Sequence, residues 1–261
     1  MPCIRRSVAA VALVVAAAVA CEDSTGPKSS PLTLDQALAE LSNPALASTV
    51  PTFVDIGDFT PSLNAAACPY SADSQKFVCP PVTKRGITLR HSFTLLTAQG
   101  VKQSTFDPTT TDSVRANTDV DGTLAEQGTN VRVYGGQEVT LTGLVSGPHV
   151  LDGFASIVVA GTVDDGTSTY PLNVRVNTLI DKLVLPGDAA GSAPVWPTSG
   201  RITVDVTGVP GATSPAFLRT RTVIQFLNGT STVDVTVTPG DGLAGAVGCT
   251  VDLAVSKPVC D

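Results

Sequence analysis

The chain has 261 residues, 15% of them charged, with 23 Asp and Glu against 16 Lys and Arg for a net charge of −7. That balance excludes the basic footprint that nucleic-acid binding requires and excludes electrostatic docking on anionic lipid. With only two histidines, His91 and His149, the chain also holds few candidate bases for acid–base catalysis.

At the N-terminus, Arg5 and Arg6 precede an unbroken apolar run over 8–20, followed by Cys21 and polar residues. Thirteen residues are too few for a helix that spans a bilayer, which needs about 20. The run fits the apolar part of a cleaved secretory signal. Ala18-Val19-Ala20-Cys21 resembles the lipobox of bacterial lipoproteins, with Ala18 where that family prefers Leu. The resemblance covers about the first 25 residues. It implies that the Cys21 thiol receives a diacylglycerol, that cleavage falls before it, and that its new amino group is acylated. An ordinary secretory cut near Ala20 would instead leave Cys21 a free thiol. The expected organisation is a signal over 1–20, a lipid-anchored tether over 21–32 and one β-rich domain over 33–261. The protein then sits in the cell envelope, facing the periplasm or the exterior. Its one expected partner is a membrane, reached through the anchor. Residues 22–32 carry no apolar periodicity, and as a flexible coil they reach roughly 18 Å.

A helix is expected just after the tether. Thr33 with Gln36 has the form of a capping box, Leu34, Ala37, Leu38 and Leu41 make one apolar stripe, and Asn43-Pro44 ends it. Residues 45–85 read as irregular, with prolines at 51, 61, 69, 80 and 81. Cys68 and Cys79 bracket part of that stretch, and Cys249 and Cys260 stand near the C-terminus. Four cysteines in an oxidising compartment allow three disulfide pairings. The equal spacing of eleven favours 68–79 and 249–260. Asp73-Ser74 lies midway in the first loop. The second has a strand-like midpoint, Ala254-Val255, and its turn signal, Ser256-Lys257-Pro258, comes later, so its loop is expected to be asymmetric. The CxxC spacing of a zinc site is absent from the sequence.

From residue 87 the pattern is strand after strand: 87–96, 113–124, 130–134, 138–144, 154–163, 170–179, 202–207, 218–227, 232–238 and 250–255. These segments are rich in Val, Ile, Thr and aromatics and are separated by Gly, Asn, Asp or Pro. Connections this short rule out parallel crossovers. The expected fold is all-β, about ten mainly antiparallel strands in meander order, as a barrel, a sandwich or an open curved sheet. Tight hairpins are expected at Tyr134-Gly135-Gly136-Gln137, at Asp164-Asp165-Gly166 and at Asn228-Gly229. Asn-Gly is the strongest short hairpin signal because both turn residues take positive φ. Placing Leu227 opposite Thr230 sets Ile224 against Val233 and Thr222 against Val235. Pro171, Pro194, Pro197 and Pro210 should lie at strand ends or edges, and residues 186–200 should form a surface loop.

The segment most like a binding site is Asn117-Thr118-Asp119-Val120-Asp121-Gly122. It resembles the first half of an EF-hand calcium loop, with Asn117, Asp119 and Asp121 at ligand positions 1, 3 and 5 and glycine at 6. Gly128 stands where the bidentate Glu belongs, and the flanks read as strand. The alternative is a turn at Asp121-Gly122. His149 with Asp152 is the one candidate catalytic dyad, and no GxSxG elbow accompanies it. Trp196, the sole Trp, is either a binding element or packed over the end of the sheet. No catalytic residue and no cofactor are assigned. The reading is an anchored envelope lipoprotein with a non-catalytic binding or structural β domain, and the alternative is an envelope hydrolase.

Overall fold

Period-two alternation decides this structure. In Thr169–Leu185 the even residues from Leu172 to Ile180 are buried, while Asn173, Arg175 and Leu179 are exposed. A strand with that pattern buries one face and leaves the other wet. The computed structural model describes residues 67–126, 129–164, 169–185, 196–210, 218–240, 245–252 and 257–260. The lipobox with Cys21, the tether, the expected helix after it and the expected loop as far as residue 195 lie outside these residues.

Among the described residues fourteen strands form one antiparallel sheet. They are β1 (Tyr70–Ser71), β2 (Lys76–Val78), β3 (Val82–Lys84), β4 (Ile87–Leu96), β5 (Lys102–Gln103), β6 (Ser113–Glu126) and β7 (Thr129–Thr142). Then follow β8 (His149–Asp164), β9 (Thr169–Leu185), β10 (Ser199–Pro210), β11 (Leu218–Leu227), β12 (Thr232–Pro239), β13 (Val247–Asp252) and β14 (Lys257–Cys260). The hydrogen-bonded order is β1-β2-β4-β6 and then every strand in turn to β14, with β3 and β5 also paired to β4. The order runs from β1 to β14 without closing, so the sheet is open. The count differs from the expected ten because β1, β2, β3 and β5 are too short to show alternation, β14 carries a turn-like sequence, and the expected strands 130–134 and 138–144 are one strand, β7.

Gly135-Gly136 is not a hairpin. It lies inside β7, with Gly135 opposite Val120 on one side and Ile157 on the other. A Cβ at Gly135 would stand 2.0 Å from the Ser156 carbonyl oxygen. The glycine marks a close approach of backbones in a long strand, a role that sequence alone does not separate from a turn. Asn228-Gly229 is a turn, with φ of 61° and 65°. Its register is Phe226 against Val233 and Ile224 against Val235, two residues from the expected pairing. Thr230 and Ser231 stay outside the ladder, where the Thr230 hydroxyl bonds the Leu227 carbonyl at 3.2 Å. A slip of two preserves the faces, so Ile224, Phe226, Val233 and Val235 are buried together as the alternation implied. At the third site β8 and β9 pair from Asp164 opposite Thr169, and the turn itself is outside the described residues.

Both disulfides are formed, Cys68–Cys79 and Cys249–Cys260. The second loop is symmetric, contrary to expectation: Cys249 faces Cys260 and Asp252 faces Lys257. Lys257-Pro258, read in sequence as the turn, begins the edge strand, where proline is tolerated. At the opposite edge Phe77 stacks on Phe93 at 4.6 Å between centroids and meets Tyr70 edge-on at 5.2 Å. The buried face forms one continuous core in which Phe93, Leu95, Val114, Leu141, Ile157, Leu183 and Ile224 are fully enclosed. Each such side chain contributes about 1.5–3 kcal/mol. The wet face carries cross-strand ion pairs, Arg201–Asp181 at 2.7 Å and Arg221–Asp205 at 2.8 Å.

Candidate functional site

The feature of the buried face that apolar packing does not explain is a row of polar side chains crossing it. The parity of β4 puts His91 on the same face as Leu89 and Phe93. The parity of β6 does the same for Thr118, that of β7 for Gln137 and that of β9 for Thr178. The ladder aligns them: His91 opposite Thr118, Thr118 opposite Gln137, Gln137 opposite Ala155, and Ala155 opposite Thr178. His91, Thr118 and Thr178 are 2–3% exposed and Gln137 is 7%. Apolar rows flank them: Phe93, Ala116, Val139, Gly153 and Ile180 on one side, and Leu89, Val120, Gly135, Ile157 and Val176 on the other. At the β2 end the Cys79 N–H donates to the His91 carbonyl at 3.0 Å, which brings the first disulfide to the end of the row.

Within the row, Thr118 Oγ1 lies 2.8 Å from His91 Nδ1, and Gln137 Nε2 donates to the same oxygen at 3.4 Å. Donors and acceptors balance best when the Thr118 hydroxyl donates to Nδ1 and accepts from the amide, which leaves the imidazole hydrogen on Nε2. Burial pushes the His91 imidazole down to about 4, with the Asp119 carboxylate acting against it, so the ring is neutral at physiological pH. Among the described residues the buried side-chain atoms without a hydrogen-bond partner are His91 Nε2, Gln137 Oε1 and Thr178 Oγ1. All three belong to this one row. Each costs about 1–3 kcal/mol, so the row lowers stability relative to apolar residues of the same shape.

The sites singled out in the sequence lie elsewhere or do not assemble. Asn117, Asp119 and Asp121 project to the wet side of β6, where extended backbone spaces alternate residues about 6.8 Å apart along the strand. Calcium needs several oxygens at 2.3–2.6 Å, which a straight strand does not bring to one point. Asp121 pairs with Arg132 at 3.1 Å. Gly122 is strand interior, opposite Ile87 and Val133, and not a turn. Among the described residues no group of three or more His, Cys, Asp and Glu is placed to hold a metal.

His149 opens β8 and is buried, which pushes its imidazole pKa down. Asp152 sits in a bulge of that strand and turns its carboxylate to the Lys182 N–H at 2.8 Å. There Lys182 takes a φ of 47°. Asp152 therefore serves the bulge and does not orient the imidazole. Trp196 is 7% exposed and packs in the core. Sequence reading missed Thr118, Gln137 and Thr178 as a group. The alternation contained the signal for each strand, but aligning the strands required the register. Comparison with family models, curated proteins and solved structures gives no match for this chain.

Proposed function

We propose that this is a lipoprotein of the cell envelope, held to a membrane by an acylated Cys21, whose β domain has a binding or structural role rather than a catalytic one. The observation that supports the non-catalytic part is the position of the two histidines. Both are enclosed in the core, His91 at 3% and His149 at 9% exposure, where neither meets an external substrate. Two disulfides that clamp the edges suit a domain built to persist in an oxidising compartment. The anchor rests on the apolar run and the residues up to Cys21.

Expression of the full chain and of its Cys21→Ser variant, followed by membrane fractionation, tests the reading. The wild type should pellet with membranes and label with a radioactive or clickable fatty acid, and the variant should do neither. Equal membrane association of the two would overturn it.

A further inference from the structure

Thr118, Gln137 and His91 bring together a hydroxyl nucleophile, a carboxamide electrophile and a base inside a dry core. We propose that Thr118 and Gln137 become covalently joined by an ester between Thr118 Oγ1 and the side-chain carbonyl carbon of Gln137, with His91 as the base. The geometry carries this. Thr118 Oγ1 is 2.8 Å from His91 Nδ1, and Gln137 Nε2 donates to it at 3.4 Å, so the attack requires the amide to turn the face of its carbonyl carbon toward Oγ1. Thr118 and Gln137 are directly opposed in the β6–β7 ladder, so the sheet holds the reacting groups in register and removes the entropic cost of bringing them together.

The step balances without any oxidant or co-reactant. The Thr118 hydroxyl proton passes to His91 Nδ1 as Oγ1 attacks the Gln137 carbonyl carbon. The imidazolium returns that proton to the amide nitrogen, the C–N bond breaks, ammonia leaves, and an O–C ester bond remains. His91 ends neutral, as it began. Burial keeps out the water that would otherwise hydrolyse the product. The reaction runs once in the life of each molecule, so a slow step suffices.

The test uses the full chain, denatured, with disulfides reduced, and digested by trypsin. Thr118 lies in peptide 116–132 and Gln137 in peptide 133–175, and neither contains cysteine. The wild type should give the two as one species lighter than their sum by one ammonia. Mild alkali should split it into the unchanged 116–132 peptide and a 133–175 peptide carrying Glu in place of Gln137. Thr118→Val should give two separate peptides, and Thr118→Ser should restore the link. Separate wild-type peptides of full sequence mass would overturn the proposal, as would a link that survives in Thr118→Val.

Discussion

At the scale of single residues, the polar row makes stability depend on pH in a defined direction. Burial holds His91 near 4 against an ordinary 6.5. Between those values the unfolded chain binds more protons than the folded one, so stability rises with pH. The contribution is complete above about pH 6.5 and is lost progressively as pH falls toward 4, by about 3 kcal/mol in all. His149 shifts in the same direction from burial. Thermal melts of the wild type should drop steeply across this window, and His91→Leu should flatten the slope. Thr178 supplies the complementary case. Its buried hydroxyl lacks a partner, so Thr178→Val should stabilise by about 1 kcal/mol, read as a melting temperature a few degrees higher. Alternation within 87–96 already placed His91 beside Leu89 and Phe93 in the sequence. What was not legible is that four such residues fall on one line, because that alignment depends on pairings set by turns and bulges.

At the scale of elements, glycine and proline misled in a regular way. Gly-Gly read as a turn where it is the middle of β7, and Lys257-Pro258 read as a turn where it starts β14. In both cases a residue that weakens a strand in isolation is held extended by its neighbours. Gly135 is the sharpest instance, with a φ of 144° and the Ser156 carbonyl where a Cβ would go. Gly135→Ala should cost at least about 3 kcal/mol. Gly147→Ala, with nothing within 4 Å of its added Cβ, should cost only about 1 kcal/mol from its φ of 96°. Urea unfolding midpoints of the two variants make the comparison. The strands that sequence identified best, β4 and β11, match to the residue. The aspartates of β6 looked like a ligand set because their spacing of two suits a tight loop, whereas the same spacing in a strand spreads them along its wet side.

At the scale of the whole molecule, the sheet has two edges, and each ends in a hairpin whose cysteines stand eleven apart and are bonded to each other. Edge strands are the weak points of an open sheet. Each bridge closes a loop of about 12 residues, a contribution of about 3 kcal/mol in the chain-entropy model. In Cys249→Ser/Cys260→Ser, hydrogen exchange should accelerate in β13 and β14 while β7, β8 and β9 keep their protection. Uniform loss of protection across the sheet would mean that the edge is not a separate unit of stability. All-β class, meander order and disulfide pairing were legible because they follow from local patterns and spacing. That the sheet stays open was not, since closure depends on how strand twist and bulges accumulate over the whole assembly.

The strand order has one more consequence. From β7 onward each strand pairs with the one made just before it, so no segment there waits for a distant partner. A chain that emerges end-first, from a ribosome or through a pore, can then add strands to a growing edge as a zipper closes. The loop-closure entropy that slows most β proteins is met in small successive steps. Truncations from the C-terminus should accordingly shorten the sheet strand by strand, where a Greek key or a closed barrel would collapse at once.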